Sequence, residues 1–358
     1  MLRAGGSPWE NPPNVSVIIV TWNVRDLALD CLRALEQRSG DLDVEAIVVD
    51  NASSDGTVTA VRSDFPGVTL IANGGNVGFP AANNDGLAQA HGRYVLFLNP
   101  DTAVGEGTLE RCVNELDSDS TLGMVGCQMT LPDGSVQYEG ARRAYRLRHI
   151  VWEAFYLHEL FPRSALFAHQ LIGDWDHRGS RDVEAILGAF MMVRRELAQA
   201  VGGLPDDIFM FHEDLAFCLR VRAEGYRIRY LGDVATMHHV GASRGRAVSR
   251  LNLLEGEVRV RLIRERGGPV RAAFARPAFA FRSLARLAGA LVGGALPGMA
   301  ALRAKRPKAF DVRVHALHLL WALAPTAAAR FLPRADESDA AVVLRPRTRP
   351  PLGKGNPA

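Results

Sequence analysis

The 358-residue sequence lacks several short motifs that identify common nucleotide-binding enzymes, and it is poor in cysteine. It has no GxGxxG after its first predicted strand and no GxxxxGKS/T, which argues against dinucleotide-dependent oxidoreductases and P-loop NTPases. Its four cysteines form no CxxC pair and have no metal-finger spacing. We therefore expect buried thiols rather than a structural zinc site.

The sequence also lacks an apolar run of the roughly 20 residues that a membrane-spanning helix needs. Two uncharged stretches in the C-terminal part, 287–302 and 314–329, have sixteen residues each and are bounded by arginine. They predict either segments lying in a membrane interface or helices packed on the protein body. The polar start of the chain has no signal-peptide pattern, so we expect a reducing, cytoplasmic setting.

Charge is distributed unevenly along the chain, although the formal net charge is only +3. Residues 251–358 contain 19 basic and 7 acidic residues, whereas residues 1–250 contain 23 basic and 32 acidic ones. This distribution indicates that the basic C-terminal part faces an anionic partner. That partner is either nucleic acid or the inner face of the cytoplasmic membrane. No recognised nucleic-acid motif is present, so we expect the membrane and no nucleic acid.

Apolar runs alternate with helical patterns in the first third of the chain. Four short runs rich in Val, Ile and Leu, at 15–20, 46–49, 68–71 and 95–98, each end in a polar cluster. This alternation predicts an α/β fold with a mostly parallel central sheet and helices on both faces. We expect that domain over 1–250, an Arg-rich helical extension over 251–335, and a disordered tail over 336–358.

The run at 95–98 leads directly into Asn99, Pro100 and Asp101, which places a carboxylate just past a buried strand. The carboxyl ends of parallel strands share one edge of the sheet, where ligands bind in open α/β folds. Asp101 is therefore either a loop cap or a ligand for a hard divalent cation. The other polar side chains predicted at this edge are Thr21, Asn23, Asp50, Asn51, Asn73 and Asn76.

Three features of the next hundred residues suggest further site positions. A strand predicted over 185–193 is interrupted by Gly188, and glycine within a strand often marks a close approach. Glu213 and Asp214 begin a predicted helix, where they either complement the helix dipole or supply a general base. His238 or His239 is either structural or a metal ligand. The segment 138–179 is predicted to be irregular.

Seven segments in this order resemble the family-2 glycosyltransferases of the GT-A fold, particularly the bacterial rhamnosyltransferase-like enzymes. The resemblance covers 15–243, about two-thirds of the chain. It rests on VSVIIVTWN (15–23), VVDNASSDGT (48–57), NVGFPAANN (76–84), FLNPDT (97–102), GAFMMVRR (188–195), HEDLAFCLR (212–220) and HHVGAS (238–243).

The resemblance implies roles for individual residues. Asp214 would be the catalytic base with Glu213 beside it, and Asp101 and His238 would bind Mg²⁺ or Mn²⁺. Asn99 stands where the family usually has the first Asp of its metal-binding motif. Because Asn99 is neutral, the metal site has less negative charge. Positions implied along the sugar-nucleotide are Thr21, Asn23, Asp50, Asn51, Asn76, Gly78, Asn83, Asn99, Gly188 and Ala189.

The implied activity is inverting transfer of a sugar from a nucleoside-diphosphate donor to a glycan or polyprenyl-linked acceptor at the inner face of the membrane. Two alternatives use the same sheet edge. A nucleotidyltransferase would release diphosphate from a triphosphate. A sugar-nucleotide or glycan-binding protein without catalysis is disfavoured, because Asp101 and Asp214 are both present.

Overall fold

The computed structural model describes residues 12–209, 211–239, 248–292 and 312–324, and these form two compact units. The described part of the first unit comprises 12–142 and 177–239, apart from residue 210. The second unit comprises 143–176 and the described C-terminal helices. The predicted tail at 336–358 lies outside the described residues, and the domain boundaries proposed from the sequence stay predictions.

The strands alternate with helices as the sequence predicts. The strands are β1 (Val15–Thr21), β2 (Val44–Asp50), β3 (Thr69–Ala72), β4 (Tyr94–Leu98), β5 (Thr102–Val104), β6 (Leu122–Thr130), β7 (Ala141–Arg142), β8 (Arg181–Val183), β9 (Ala185–Ile186), β10 (Phe190–Arg194) and β11 (Arg227–His238). The helices are α1 (Arg25–Gln37), α2 (Thr57–Asp64), α3 (Phe79–Gln89), α4 (Thr108–Ser118), α5 (Leu147–Ala154), α6 (Leu157–Leu160), α7 (Arg195–Ala200), α8 (Glu213–Ala223), α9 (Val248–Val292) and α10 (Val312–Leu323).

The central sheet has the strand order β3-β2-β1-β4-β10-β6-β11-β5, with β8 paired to β11. Strands β3, β2, β1 and β4 are mutually parallel, as predicted, whereas β10 is antiparallel to β4 and β6. In this register Thr21 pairs with Asp50, and Asp50 pairs with Ala72. The ends of β1 and β2 therefore bring their polar residues together at one edge.

Strands β1 and β2 are buried at every position, which explains their nearly continuous runs of Val and Ile. The apolar face of α1, including Leu32 and Leu35, packs into the same core. Each such side chain contributes about 1.5–3 kcal/mol when it is removed from water. This core fixes the strand ends that carry the candidate site.

The strand predicted over 185–193 is two strands in different sheets. β9 pairs with β7 in a two-stranded sheet, while β10 joins the central sheet between β4 and β6. A turn at 187–190, closed by the Phe190 amide donating to the Leu187 carbonyl at 3.2 Å, separates them. A Cβ on Gly188 would lie 3.1 Å from the Cβ of Asp214, so glycine permits the close approach that the sequence suggested.

The segment 138–179 is less irregular than predicted, because it contains a 3₁₀ turn (Tyr138–Gly140) and also β7, α5 and α6. In the second unit, α9 changes direction at Gly268, which has φ 75° and ψ 177° and is followed by Pro269. α10 packs on α9, where the Trp321 indole donates to Glu257 Oε1 at 2.7 Å. Among the described helices, none is both long enough and apolar enough to cross a membrane.

Candidate functional site

Asp50 is held in a fixed orientation where β1 and β2 end. The Thr21 hydroxyl donates to Asp50 Oδ1 at 2.9 Å, and the Ser53 amide donates to Asp50 Oδ2 at 2.8 Å. The Asn51 amide donates to the Thr21 carbonyl at 2.8 Å. Asp50, Thr21 and Asn51 are all buried, so the structure brings these three predicted residues together.

The asparagines predicted along the sugar-nucleotide also build the loops of this edge. Asn23 has φ 53°, and its Oδ1 accepts a hydrogen bond from the Ser54 amide at 2.8 Å. Asn76 Oδ1 accepts from the Gly78 amide at 3.0 Å. Asn83 donates to the Phe79 carbonyl at 2.9 Å, but its own Oδ1 is buried without a hydrogen-bond partner among the described residues.

Asp101 and His238 lie against each other, as a shared cation would require. Register between β5 and β11 places His238 opposite Thr102. Nε2 of His238 lies 3.2 Å from Oδ1 of Asp101, and both side chains are buried. Oδ1 of Asp101 makes no hydrogen bond within the described structure.

Gln137 determines which ring nitrogen of His238 faces Asp101. Nδ1 of His238 lies 2.9 Å from Oε1 of Gln137 and donates its proton there. In the neutral form of His238, Nε2 then turns its lone pair toward the Asp101 carboxylate. A histidine nitrogen and a carboxylate oxygen placed side by side in this way fit a hard or borderline divalent ion. Among the described residues, no group of three or more His, Cys, Asp and Glu side chains is placed to hold a metal ion.

Backbone contacts join the end of β4 to the start of α8. The Asn99 amide donates to the Ala189 carbonyl at 3.0 Å, and the neighbouring Gly188 amide donates to Asp214 Oδ2 at 2.9 Å. Asp214 is thus positioned by the turn at 187–190. Of the sequence-predicted residues, the structure connects Asn99, Ala189, Gly188 and Asp214 in one continuous chain of contacts.

Asp214 is buried and ion-paired with Arg142 of β7. Arg142 Nη2 contacts Asp214 Oδ2 and also donates to the Ile186 carbonyl at 3.2 Å. Burial alone would raise the pKa of Asp214, but the Arg142 charge and the hydrogen bonds from the Gly188 and Leu215 amides outweigh it and lower that pKa. Asp214 is therefore an anion at neutral pH.

Glu213 has the opposite electrostatic environment. Burial and the neighbouring Asp214 charge raise its pKa to about 8. Its Oε2 is buried without a hydrogen-bond partner in the described structure. The preceding residues Phe211 and His212 have φ of 71° and 62°, a left-handed conformation that is rare outside glycine and often found at functional sites. The acidic pair thus consists of one ionised and one protonated carboxyl group at neutral pH.

Sequence reasoning missed Arg142 and Gln137. Nothing in the sequence separates Arg142 from the adjacent Arg143, because the short strand that orients it is too brief to predict. Gln137 follows the Asp133–Gly134 turn and reaches His238 only because β11 lies beside β6. Gln137 and His238 are about a hundred positions apart in the chain, and Arg142 and Asp214 are about seventy positions apart.

Residues 16–178 match the family model described as glycosyl transferase family 2. A curated relative from Mycobacterium tuberculosis, N-acetylglucosaminyl-diphospho-decaprenol L-rhamnosyltransferase, is 28% identical over 57% of this chain and 69% of its own length. The O-antigen biosynthesis protein RfbC of Myxococcus xanthus is 26% identical over 66% of this chain, but only 18% of its own length is matched.

Two solved structures share the fold. A mannosyltransferase from Pyrobaculum calidifontis, solved with GDP-Man and Mn²⁺, has a TM-score of 0.55 and 23% identity, and 90% of each chain is covered. GalNAc-T7, solved with UDP, GalNAc and Mn²⁺, has a TM-score of 0.54 and 14% identity over 90% of this chain and 59% of its own. The predicted α/β fold class is confirmed. Residues 16–178 thus form a family-2 glycosyltransferase domain, and the chain has the GT-A fold and is similar to bacterial rhamnosyltransferases.

Proposed function

We propose that the chain transfers a sugar, with inversion, from a nucleoside-diphosphate donor to a hydroxyl of a lipid-linked or cell-envelope glycan. The observation that carries this proposal is the buried, ionised Asp214 held by Arg142 and the Gly188 amide. The names of the relatives support the acceptor class, since one acts on a decaprenol-linked sugar and another belongs to O-antigen biosynthesis. Asp50 and the surrounding loops would hold the nucleotide.

Asp214 is proposed as the general base. A carboxylate that is ionised at neutral pH accepts the proton of the acceptor hydroxyl while that oxygen attacks the anomeric carbon. Attack from the side opposite the leaving diphosphate inverts the anomeric centre. Glu213, protonated at neutral pH, leaves Asp214 as the single negative charge of the pair.

A divalent cation is proposed at Asp101 and His238. The His238 nitrogen and the orphaned Asp101 oxygen beside it fit such an ion, and two solved neighbours of the same fold were crystallised with Mn²⁺. When bound, Mg²⁺ or Mn²⁺ would neutralise charge on the departing diphosphate. Gln137 would orient His238 toward it, and the neutral Asn99 would leave the remaining coordination positions to the diphosphate and water.

A cytoplasmic location at the inner face of the membrane follows from the proposed acceptor and from the basic C-terminal part of the chain. A polyprenyl-linked acceptor would be confined to the bilayer. The enzyme would therefore work as a peripheral protein at that surface.

A thermal-shift screen of UDP-, dTDP- and GDP-sugars with Mn²⁺ tests the donor and metal together. A ligand present at about 100 times its Kd stabilises the folded state by about 2.7 kcal/mol, which raises the Tm by several degrees. We expect one nucleotide class to give this shift with Mn²⁺ and not with EDTA.

Gln137→Leu sharpens the screen, because it leaves both proposed ligands in place. Loss of the hydrogen bond that orients a metal-binding histidine weakens metal affinity by about 10- to 100-fold. Mn²⁺ titration followed by electron paramagnetic resonance measures this directly, with the exposed Gln199→Leu as the matched control. An equal Mn²⁺ affinity in Gln137→Leu, or a nucleotide shift that persists in EDTA, would contradict the proposed site.

A further inference from the structure

The second unit carries an unusual concentration of exposed apolar side chains. Among the described residues, twelve large apolar side chains are exposed, and all except Tyr138 belong to this unit. Scattered exposed apolar residues are normal, but a contiguous set marks an interaction surface.

Four of them form a stripe on the part of α9 that follows the bend at Gly268. Val270, Phe274, Phe281 and Leu284 recur at helical spacing, together with the exposed Pro277. At 100° per residue these positions fall within an arc of about 80°. We call this set the apolar stripe; Val270 is 69% exposed and Phe274 is 61% exposed.

The opposite side of the same helix packs into the second unit. Phe279 is buried against Trp321 with ring centroids 5.5 Å apart, and Ser283 and Arg286 are also buried. The helix therefore has a buried face within the unit and a second apolar face directed away from it. Phe155, the residue that follows α5, extends the stripe, because it is exposed and its ring centroid lies 5.6 Å from that of Phe281.

The charged residues of α9 from Arg266 onward are all basic, and the exposed Glu265 comes just before them. Between residues 266 and 310 the sequence has nine basic residues and no acidic one. Arg271 is exposed one position from Val270, and Arg264 and Arg266 are exposed before the bend. An apolar face bordered by arginine, on a helix that does not span a membrane, matches a helix that lies in the interface of an anionic bilayer.

We propose that the apolar stripe of α9 inserts into the headgroup region of an anionic lipid bilayer while the neighbouring arginines bind its phosphates. This inference deepens the proposed function and rests on it, because a lipid-linked acceptor has to be reached at a membrane surface. It assigns membrane contact to a defined helix face rather than to the net charge of the C-terminal part.

Sedimentation of the full chain with vesicles tests the proposal without any substrate. Wild-type protein is expected to bind phosphatidylcholine vesicles containing phosphatidylglycerol, and to bind vesicles of phosphatidylcholine alone more weakly. Withdrawing one side chain of the stripe from water strengthens vesicle binding about tenfold. F274S/F281S, which removes two of them, should therefore lower the affinity for vesicles about a hundredfold. Arg271→Gln should lower binding about fivefold, and only to anionic vesicles.

A matched pair of leucines provides the control. Leu284 is 53% exposed on the stripe, whereas Leu323 is 70% exposed on α10 and outside it. Leu284→Ser should reduce vesicle binding about tenfold, and Leu323→Ser should leave it unchanged. Equal effects of the two substitutions, or unchanged binding by F274S/F281S, would overturn the assignment.

Two further measurements identify a different occupant of the stripe, and either would overturn the proposal. A dimer seen by light scattering that F274S/F281S converts to monomer would make the stripe an interface between copies. A Tm of Phe274→Ser that is lower than that of the wild type without lipid would show that other parts of the same chain cover the stripe. Transfer to a short-chain, water-soluble acceptor should be unaffected in these variants, which separates failure of the stripe from failure of the proposed activity.

Discussion

Arg142 sets the chemical state of the proposed base. Burial of Asp214 without a cation would favour the protonated carboxyl group, which cannot accept a proton. The guanidinium of Arg142 reverses that preference, and its second contact to the Ile186 carbonyl fixes its own position. The proposed base is therefore kept ionised by Arg142, a residue that lies outside the sequence motif containing Asp214.

Replacing Arg142 is expected to change the pH dependence of the reaction. In Arg142→Met the pKa of Asp214 rises, so the acidic limb of the kcat/KM profile moves to higher pH and activity at pH 6 falls at least about tenfold. Arg142→Lys should recover part of the loss, because it keeps the charge but not the planar fork.

The neighbouring Arg143 is the matched control for this measurement. Its side chain donates to the His169 carbonyl at 3.3 Å and does not contact the acidic pair. Arg143→Met should keep the wild-type profile. An Arg142→Met enzyme with an unshifted acidic limb would show that Arg142 has only a structural role.

At the scale of elements, the strands with continuous apolar runs were predictable and the short ones were not. β1, β2 and β4 are buried along their whole length, so their largely apolar sequences alone predicted them. β9 and β10 appear in the sequence as one apolar run, because both are buried and only the turn at Gly188 divides them. Their separation depends on contacts with α8 that local sequence does not encode.

The second unit is held together by an ionic cluster that no motif indicated. Glu153 of α5 accepts from the Tyr145 hydroxyl at 2.9 Å and pairs with Arg259 and Arg282 of α9 at 3.3 and 2.9 Å. Arg286 donates to the Glu153 carbonyl at 2.7 Å. Although burial opposes it, the arginine charges lower the pKa of Glu153 to about 2.

This cluster predicts a specific acid sensitivity. Because the pKa of Glu153 is lower in the folded state, its stabilisation is present above about pH 4.5 and is lost as the pH falls toward 2. Glu153→Gln leaves the arginines without their partner and should lower the free energy of unfolding by about 3–5 kcal/mol at pH 7. The free energy of unfolding of Glu153→Gln should then depend less on pH in the acid range than that of the wild type.

Thermal and urea unfolding at pH 7 and pH 3 measure both effects. Glu265→Gln is the control, since Glu265 is exposed and pairs with Arg261 on the surface of the same helix. That substitution should cost no more than about 1 kcal/mol. Equal losses in Glu153→Gln and Glu265→Gln would show that the cluster does not stabilise the unit.

At the scale of the whole molecule, the sequence predicted where the site lies better than how it is arranged. Parallel strands that end in polar clusters indicated one functional edge, and the described structure brings Thr21 to Asp50 and Asp101 to His238 there. The partners Gln137 and Arg142 come from the segment after β6, whose path depends on long-range packing. Patterns local to the chain cannot contain that information.

The central claim is that the chain transfers a sugar with Asp214 as the base. The most direct test measures transfer from the identified nucleotide-sugar to a polyprenyl-diphosphate-linked sugar by wild type, Asp214→Asn and the exposed control Asp64→Asn. We predict that Asp214→Asn lowers kcat by about 10²- to 10⁴-fold, while the donor still raises the Tm of this variant as it does for the wild type. Asp64→Asn should have the wild-type kcat. Near-wild-type transfer by Asp214→Asn would contradict the account.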